Sequence, residues 1–467
     1  MSSDLALTQQ PKKSSSNPWV VWGVAAAFAF YQYMLQTSAG VLVGSMSDDF
    51  KMTSLGASAI AAAYFYCYII LQIPSGLLLD KFGAKKLFRL SIPLTALGCL
   101  FFALSPNEES AFFARLFTGF ASAPGFVGAI YLGATWLPPR LFPLIAGMTE
   151  MLCMLGAAFG QTFLSLLIDA GGWRFSMWIC GGVGFLLAIA AWKIIDDAPT
   201  TTPTIEEQER SPVQEKISPY RAVLSSPTFW ALGAFDGLCG ATIPAFASMW
   251  GVEYLQVAMN ASLSTAAYGT GFVFIGCAIS STFVGIVSDK IGRRNPLMLI
   301  GAITGLIVMI ILFYLPGLTQ TLIFTLLFLL GIAVGTYMLS FAVAREISPL
   351  SCQGTALGFI NTMGLVVGAL IFQPLIGLIL KWRAPEVEVL RDYTVADYQW
   401  GLIVLPIGLL LAIIMIFFVR ETYCRNLQQQ ENLQKGRRRS SLPRKMSTWR
   451  RRSSPTRRSP PEPESES

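Results

Sequence analysis

The sequence predicts an all-α membrane protein of twelve transmembrane helices, arranged as two similar six-helix halves. Three observations carry that prediction. The 467-residue chain is 53% hydrophobic and only 13% charged, with a mean hydropathy of +0.55, against about 25% charged residues in a soluble domain. Its apolar stretches mostly run to about 20 residues, the length that carries a helix across a hydrocarbon core. Short charged motifs also recur at a near-constant offset between the halves. Alternating strand-like segments of about 10 residues, the pattern of a barrel, are absent. Backbone in lipid must satisfy its own hydrogen bonds, so the apolar runs are helices.

In chain order, residues 1–18 form a polar tail carrying Lys12 and Lys13. The charges do not lead into a short apolar core with a small-residue cleavage site, so no signal peptide is expected. Spans are expected near 19–43, 57–79, 87–105, 110–134, 142–168 and 174–195 in the first half. The second half follows with 226–251, 263–288, 296–315, 319–344, 354–380 and 398–420. The halves are then 19–195 and 226–420, joined by a polar, proline-containing linker over 196–225. From residue 421 to 467 the chain is rich in Ser, Pro and Arg. Such a stretch buries no core, so a disordered tail is expected. Its arginines suit contact with an anionic lipid leaflet. No nucleic-acid partner is expected of the basic run from Gly436, which is tethered to a membrane and has Trp449 as its one aromatic.

Basic residues set the orientation. Lys81, Lys85, Lys86, Arg89, Arg140, Lys290, Arg293 and Arg294 share one side with the linker and both tails. The opposite loops carry the sparser set Lys51, Arg174, Lys381, Arg383 and Arg391. Both termini are therefore expected in the cytoplasm. The eight cysteines form no CxxC pair or ligand-like cluster and read as small apolar residues. The chain has no histidine, which excludes His-ligated metals, His-based nucleophile triads and His proton relays. No GxxxxGK[ST] stretch is present to bind ATP. No GxSxG elbow, paired intramembrane aspartates or cofactor motif suggests an enzyme, so neither a cofactor nor a metal is expected.

The repeat is read from matched motifs. "GLLLDKFGAKK" begins at Gly76 and "GIVSDKIGRRN" at Gly285, an offset of 209; Pro138 and Gly147 match Pro349 and Gly358 at an offset of 211. Internal repeats around a central site are a common plan of secondary transporters. Gly76, Asp80, Lys81, Gly83, Lys85 and Lys86 together resemble the loop motif between helices 2 and 3 of the major facilitator superfamily. Gly285, Asp289, Lys290, Gly292, Arg293 and Arg294 resemble its second-half copy between helices 8 and 9. The resemblance covers about residues 19–420. It implies two pseudo-symmetric bundles, a central cavity and alternating access. It also implies that Asp80 and Asp289 meet a helix end of the other half to hold the cytoplasmic side shut, with the motif cations completing the network. Arg345 and Glu346, which close span 10 where the first half has Thr135 and Trp136, are candidates for the same gate.

An ionisable group inside a span is a functional candidate. Arg115, followed by Gly119, resembles the fourth-helix motif of the superfamily, which implies coupling or substrate binding. A guanidinium fork suits an anion; the alternative is a structural pair with Glu150. Glu150 in span 5 and Asp236, the one acid read as well inside span 7, are proton-site candidates. Tyr31 and Gln32 of span 1 are candidates for the cavity lining. Span 5 lacks the Gly-Pro pair that marks drug/proton antiporters of the superfamily. "YFYCYIILQIPSGLLLDKFG" resembles bacterial importers of organic and sugar acids, and more loosely the lysosomal dipeptide-transporter branch. The expected function is proton-coupled symport of a small polar solute by a monomer in a bacterial plasma membrane. A dipeptide or amino-acid uniporter and a drug/proton antiporter are the alternatives.

Overall fold

The computed structural model describes residues 17–138, 141–196, 223–348, 353–387 and 389–425. The described residues are almost entirely helical and build twelve spans in two six-helix bundles. Ten stretches among the described residues are long and apolar enough to cross a membrane. One of them, within the 53-residue helix Phe142–Ile194, would measure about 80 Å if straight, more than twice a hydrocarbon core. Gly172 (φ 82°, ψ 172°) breaks it into spans 5 and 6. Span 1 is additional, because residues 37 and 38 split it into Pro18–Gln36 and Ala39–Phe50.

The other first-half spans are Ser54–Phe82 (span 2), Ala84–Ala103 (span 3) and Glu108–Ser122 with Pro124–Trp136 (span 4). In the second half, span 7 is built from Pro227–Gly240, a π-helical stretch Thr242–Trp250 and Gly251–Met259. Leu263–Ile291 is span 8 and Asn295–Tyr314 is span 9. Span 10 comprises Gln320–Val334, a 3-10 turn Gly335–Met338 and Leu339–Ile347. Span 11 comprises Gln353–Leu365, a π stretch Val366–Phe372 and Gln373–Arg383; span 12 is Val395–Leu402 with Val404–Ile416. Two expected ends move outward: span 1 continues to Phe50 and span 7 to Met259. Both extensions carry acids, Asp48, Asp49 and Glu253, which a hydropathy reading takes for an end.

The two faces of the molecule differ chemically. The face carrying the linker and the chain ends is called the terminal face, its opposite the far face. Spans 2, 4, 8, 10 and 12 start at the far face behind Thr53, Asn107, Ser262, Thr319 and Thr394. Each of these side chains accepts a hydrogen bond from a first-turn N–H, which satisfies a donor the helix leaves open.

The repeat is visible in packing. Gly119 of span 4 lies against the carbonyl of Tyr64 in span 2, and Gly331 of span 10 against the carbonyl of Val273 in span 8. Both pairs are one motif at offsets of 212 and 209. In lipid no hydrophobic force drives helices together, so small residues that admit close backbone contact do much of the packing.

Hydrogen bonds between the bundles, among the described residues, cluster toward the far face. Ser54 Oγ donates to Gly377 O at 2.9 Å and lies 3.1 Å from Tyr393 Oη. Gly40 sits where a Cβ would be 2.8 Å from Ser248 O, so spans 1 and 7 touch backbone to backbone. Toward the terminal face, Gly76, Gly147, Gly285 and Gly358 all look into open space. Among the described residues the bundles are hydrogen-bonded to each other at the far mouth, and at the terminal side these four glycines meet no facing helix.

Candidate functional site

Arg115 is buried, 4% exposed, and points at the break in span 1. Its Nη1 donates to Leu35 O (2.9 Å) and Ser38 Oγ (3.2 Å), and Nη2 to Gln36 O at 3.5 Å. Leu35 O also accepts from Ser38 Oγ (2.7 Å) and Ser38 N–H (3.3 Å), so the guanidinium joins the hydrogen bonds that turn the chain there. The ring of Tyr64 lies 5.1 Å from its carbon, in cation–π range. Among the described residues no carboxylate pairs with Arg115, Glu150 included, and its Nε is buried without a hydrogen-bond partner. A buried cation without an anion is costly.

Around it lie further polar groups. Gln32 Nε2 donates to Gln36 Oε1 at 3.3 Å, while Gln32 Oε1 is buried without a donor. Tyr64 Oη hydrogen-bonds Ser122 Oγ. Tyr31 points elsewhere: its hydroxyl donates to Cys180 O at 2.8 Å, inside the first bundle. Ser38 and Ser122 were not singled out in the sequence; ordinary polar residues in a span give no signal until the fold gathers them.

The intramembrane acids sit nearer the terminal face. Glu150 is 8% exposed, with Tyr33, Cys153, Cys277 and Tyr337 within electrostatic reach. Those neighbours come from spans 1, 5, 8 and 10, so Glu150 lies where the bundles meet. Asp236, 2% exposed, accepts a short hydrogen bond from Ser340 Oγ. Its other oxygen lies 2.7 Å from where a Cβ would stand on Gly364. Neither acid forms an ion pair among the described residues. Asp236 is not the one acid inside span 7, as expected, because the span continues to Met259 and buries Glu253 at 1% exposure.

At the terminal face the two motif loops turn at Gly83 (φ 80°) and Gly292 (φ 74°), a backbone region that favours glycine. In the first loop Lys85 pairs with Asp196 at 2.6 Å, and Lys81 lies over the Phe82 ring at 5.3 Å. The Asp80 side chain, like Arg140, lies outside the described residues. In the second loop Arg294, its side chain 7% exposed, holds Glu346 at 2.6 Å and Asp289 at 2.8 Å. Asp289 thus pairs within its own loop. Lys86, Lys290 and Arg345 are exposed.

The expected tail boundary at residue 421 also moves. Glu421 accepts from the N–H groups of Arg294 (2.9 Å) and Asn295 (3.1 Å), which open span 9. Thr422 donates to Glu346, and Cys424 Sγ lies 3.5 Å from Ser288 O. Residues after Arg425 lie outside the described residues. Burial, the largest cause, raises the Cys424 thiol above its ordinary pKa, and alkylation needs the thiolate. Glu421→Ala is therefore expected to release this strap and speed maleimide labelling of Cys424 by about 10-fold at pH 7, read by mass spectrometry. Unchanged labelling would show that Glu421 does not hold it.

Two helical bundles that meet around buried intramembrane charges form the fold of a multi-pass membrane transporter. The chain belongs to the Major Facilitator Superfamily, whose family model matches residues 24–372 and 251–454. It is 22% identical over 397 residues to the probable galactarate/D-glucarate transporter GudP of Escherichia coli, covering 78% of this chain and 87% of that protein. It is also 22% identical over 284 residues to the probable sulfoacetate transporter SauU of Cupriavidus necator, covering 59% and 66%. Among solved structures, a bacterial homologue of the human lysosomal transporter Spinster, inward-facing and occupied, matches with a TM-score of 0.70 at 16% identity, covering 89% of this chain and 98% of that one. A D-xylose–proton symporter matches at 0.68 and 16% identity, covering 88% and 99%. The expected family and fold hold.

Proposed function

We propose that the chain carries a small organic anion of the sugar-acid type across the membrane by alternating access, in symport with protons. The observation that carries this reading is Arg115: a buried guanidinium at a broken helix, with no carboxylate beside it among the described residues and its Nε–H without a partner. Relatives named for galactarate, glucarate and sulfoacetate support an anionic solute. Glu150 and Asp236 are the proposed proton carriers. Both are buried at or beside the bundle interface, where a change of access alters their solvation. Gln32 is proposed as a cavity hydrogen-bonder; Tyr31 is not, since its hydroxyl is committed to Cys180.

The terminal face is proposed to be cytoplasmic, with both chain ends inside, because the described cations Lys81, Lys85, Lys86, Arg89, Lys290, Arg293 and Arg294 gather there. The motif loops, with Asp80, Asp289, Arg345 and Glu346, are proposed as the cytoplasmic gate. Asp289 exchanges its pairing within the loop for a helix end of the other bundle when that side closes. The unit is proposed to act as a monomer, its basic tail lying along anionic lipid.

Purified protein in proteoliposomes tests the reading. Radiolabelled glucarate, galactarate or sulfoacetate should accumulate above its outside concentration only when the lumen is alkaline relative to the medium. Failure of all three to enter or compete, with entry of a dipeptide or a cationic drug instead, would overturn it.

A further inference from the structure

Spans 5 and 11 share a second repeated element that none of the motif resemblances covers. Gly156 and Gln161 on span 5 match Gly368 and Gln373 on span 11, both at an offset of 212. Each glycine presses on the facing helix at an equivalent place. A Cβ on Gly156 would run into the carbonyl of Phe30 in span 1; one on Gly368 would stand 3.0 Å from Cα of Ala241 in span 7. Phe30 and Ala241 are themselves related by an offset of 211.

One and a half turns on, each glutamine is buried and uses its amide nitrogen on a backbone carbonyl of the same facing helix. Gln161 Nε2 donates to Thr37 O at 2.7 Å, in the break of span 1. Gln373 Nε2 donates to Pro244 O at 2.5 Å, in the π stretch of span 7. Irregular backbone inside a membrane leaves carbonyls that neighbouring side chains must satisfy. The carboxamide oxygens of both glutamines are buried with no donor, so each side chain is placed for its N–H groups.

The two sites differ in one respect. Gln161 also reaches Ala247 O at 3.4 Å, across the interface into span 7, whereas Gln373 stays in its own bundle, where Trp250 Nε1 donates to its backbone carbonyl at 3.1 Å. The crossing lies beside the backbone contact of Gly40 with Ser248. A 3.4 Å bond is long and weak, as suits a contact that must break.

We propose that the repeated Gly-x4-Gln element braces the irregular stretches of spans 1 and 7, and that Gln161 is the positioning residue that latches the two bundles together at the far mouth. When the far mouth opens, Gln161 keeps Thr37 and releases Ala247. The proposal rests on the alternating-access reading but not on the identity of the solute. Hydrogen exchange reports the seal whether or not any anion is transported.

The experiment is hydrogen-exchange mass spectrometry on the full chain in nanodiscs. Gln161→Leu should raise exchange about 10-fold in peptides covering both 36–44 and 244–252. Gln373→Leu should raise it in 244–252 alone. Gln161→Glu supplies a readout that a packing role would not move. Ionised, the carboxylate cannot donate to Thr37 O; protonated, it can. Exchange relative to the native chain at the same pH should therefore fall back toward unity as the pH is lowered, and it serves equally if the leucine variant does not fold. Protection of 244–252 unchanged by Gln161→Leu, or a pH-independent ratio for Gln161→Glu, would overturn the proposal.

Discussion

Arg115→Ala is expected to lower anion uptake at trace concentration by about 100-fold, equal to about 2.7 kcal/mol. Two losses combine. The guanidinium is the charge facing the solute in the proposed function, and charged hydrogen bonds contribute about 1.5–3 kcal/mol each. It also holds Leu35 O and Gln36 O at the break of span 1, so its removal loosens the site as well as discharging it. Arg115→Lys separates the two. An ammonium keeps the charge but lacks the planar fork that reaches several acceptors at once. Uptake by the lysine variant is expected to fall by about 10-fold, chiefly through a raised KM. Thermal melting of both variants checks that the bundle persists. Native uptake by the alanine variant would remove Arg115 from the site.

Neutralising the two buried acids is expected to abolish concentrative transport while sparing exchange. With a pH difference of two units and one proton per solute, the native chain can concentrate its solute by about 100-fold. The double variant Glu150→Gln, Asp236→Asn should reach unity and still exchange internal for external solute within about threefold of the native rate. Both changes keep shape, and the amide at position 236 can still accept from Ser340, so folding is not the variable. The single variants assign the effect. If pH-driven accumulation survives in the double variant, neither acid carries the coupled proton.

Most of the architecture was legible in the sequence because the bilayer imposes simple demands. Length and apolarity fix where helices run, and the 209-residue offset between Gly76 and Gly285 discloses the duplication. Positive φ at Gly83 and Gly292 explains why the motif glycines are there. The break in span 1 was not legible. "MLQTSAGVLVG" contains no proline and reads as continuing helix; the chain breaks at residues 37 and 38, where Arg115 and Gln161 from other spans bond the carbonyls of Leu35, Gln36 and Thr37. The burial of Glu253 was missed for a related reason. A hydropathy reading ends span 7 at a charge, while packing against Gly44 covers that charge.

The site divides in the same way. Arg115, Glu150 and Asp236 were visible singly, since charge inside an apolar run is conspicuous. Their partners were not, because hydrogen bonds such as Arg115 to Leu35 O and Gln161 to Thr37 O connect residues 80 and 124 positions apart.

The sequence by itself determined that this chain crosses the membrane as a duplicated bundle of twelve helices, because lipid leaves backbone no other way to satisfy its hydrogen bonds. Only the tertiary structure decided which charges stay unpaired, which helices break and at which mouth the bundles are hydrogen-bonded to each other. Each of those depends on atoms that distant spans bring within about 3 Å of one another.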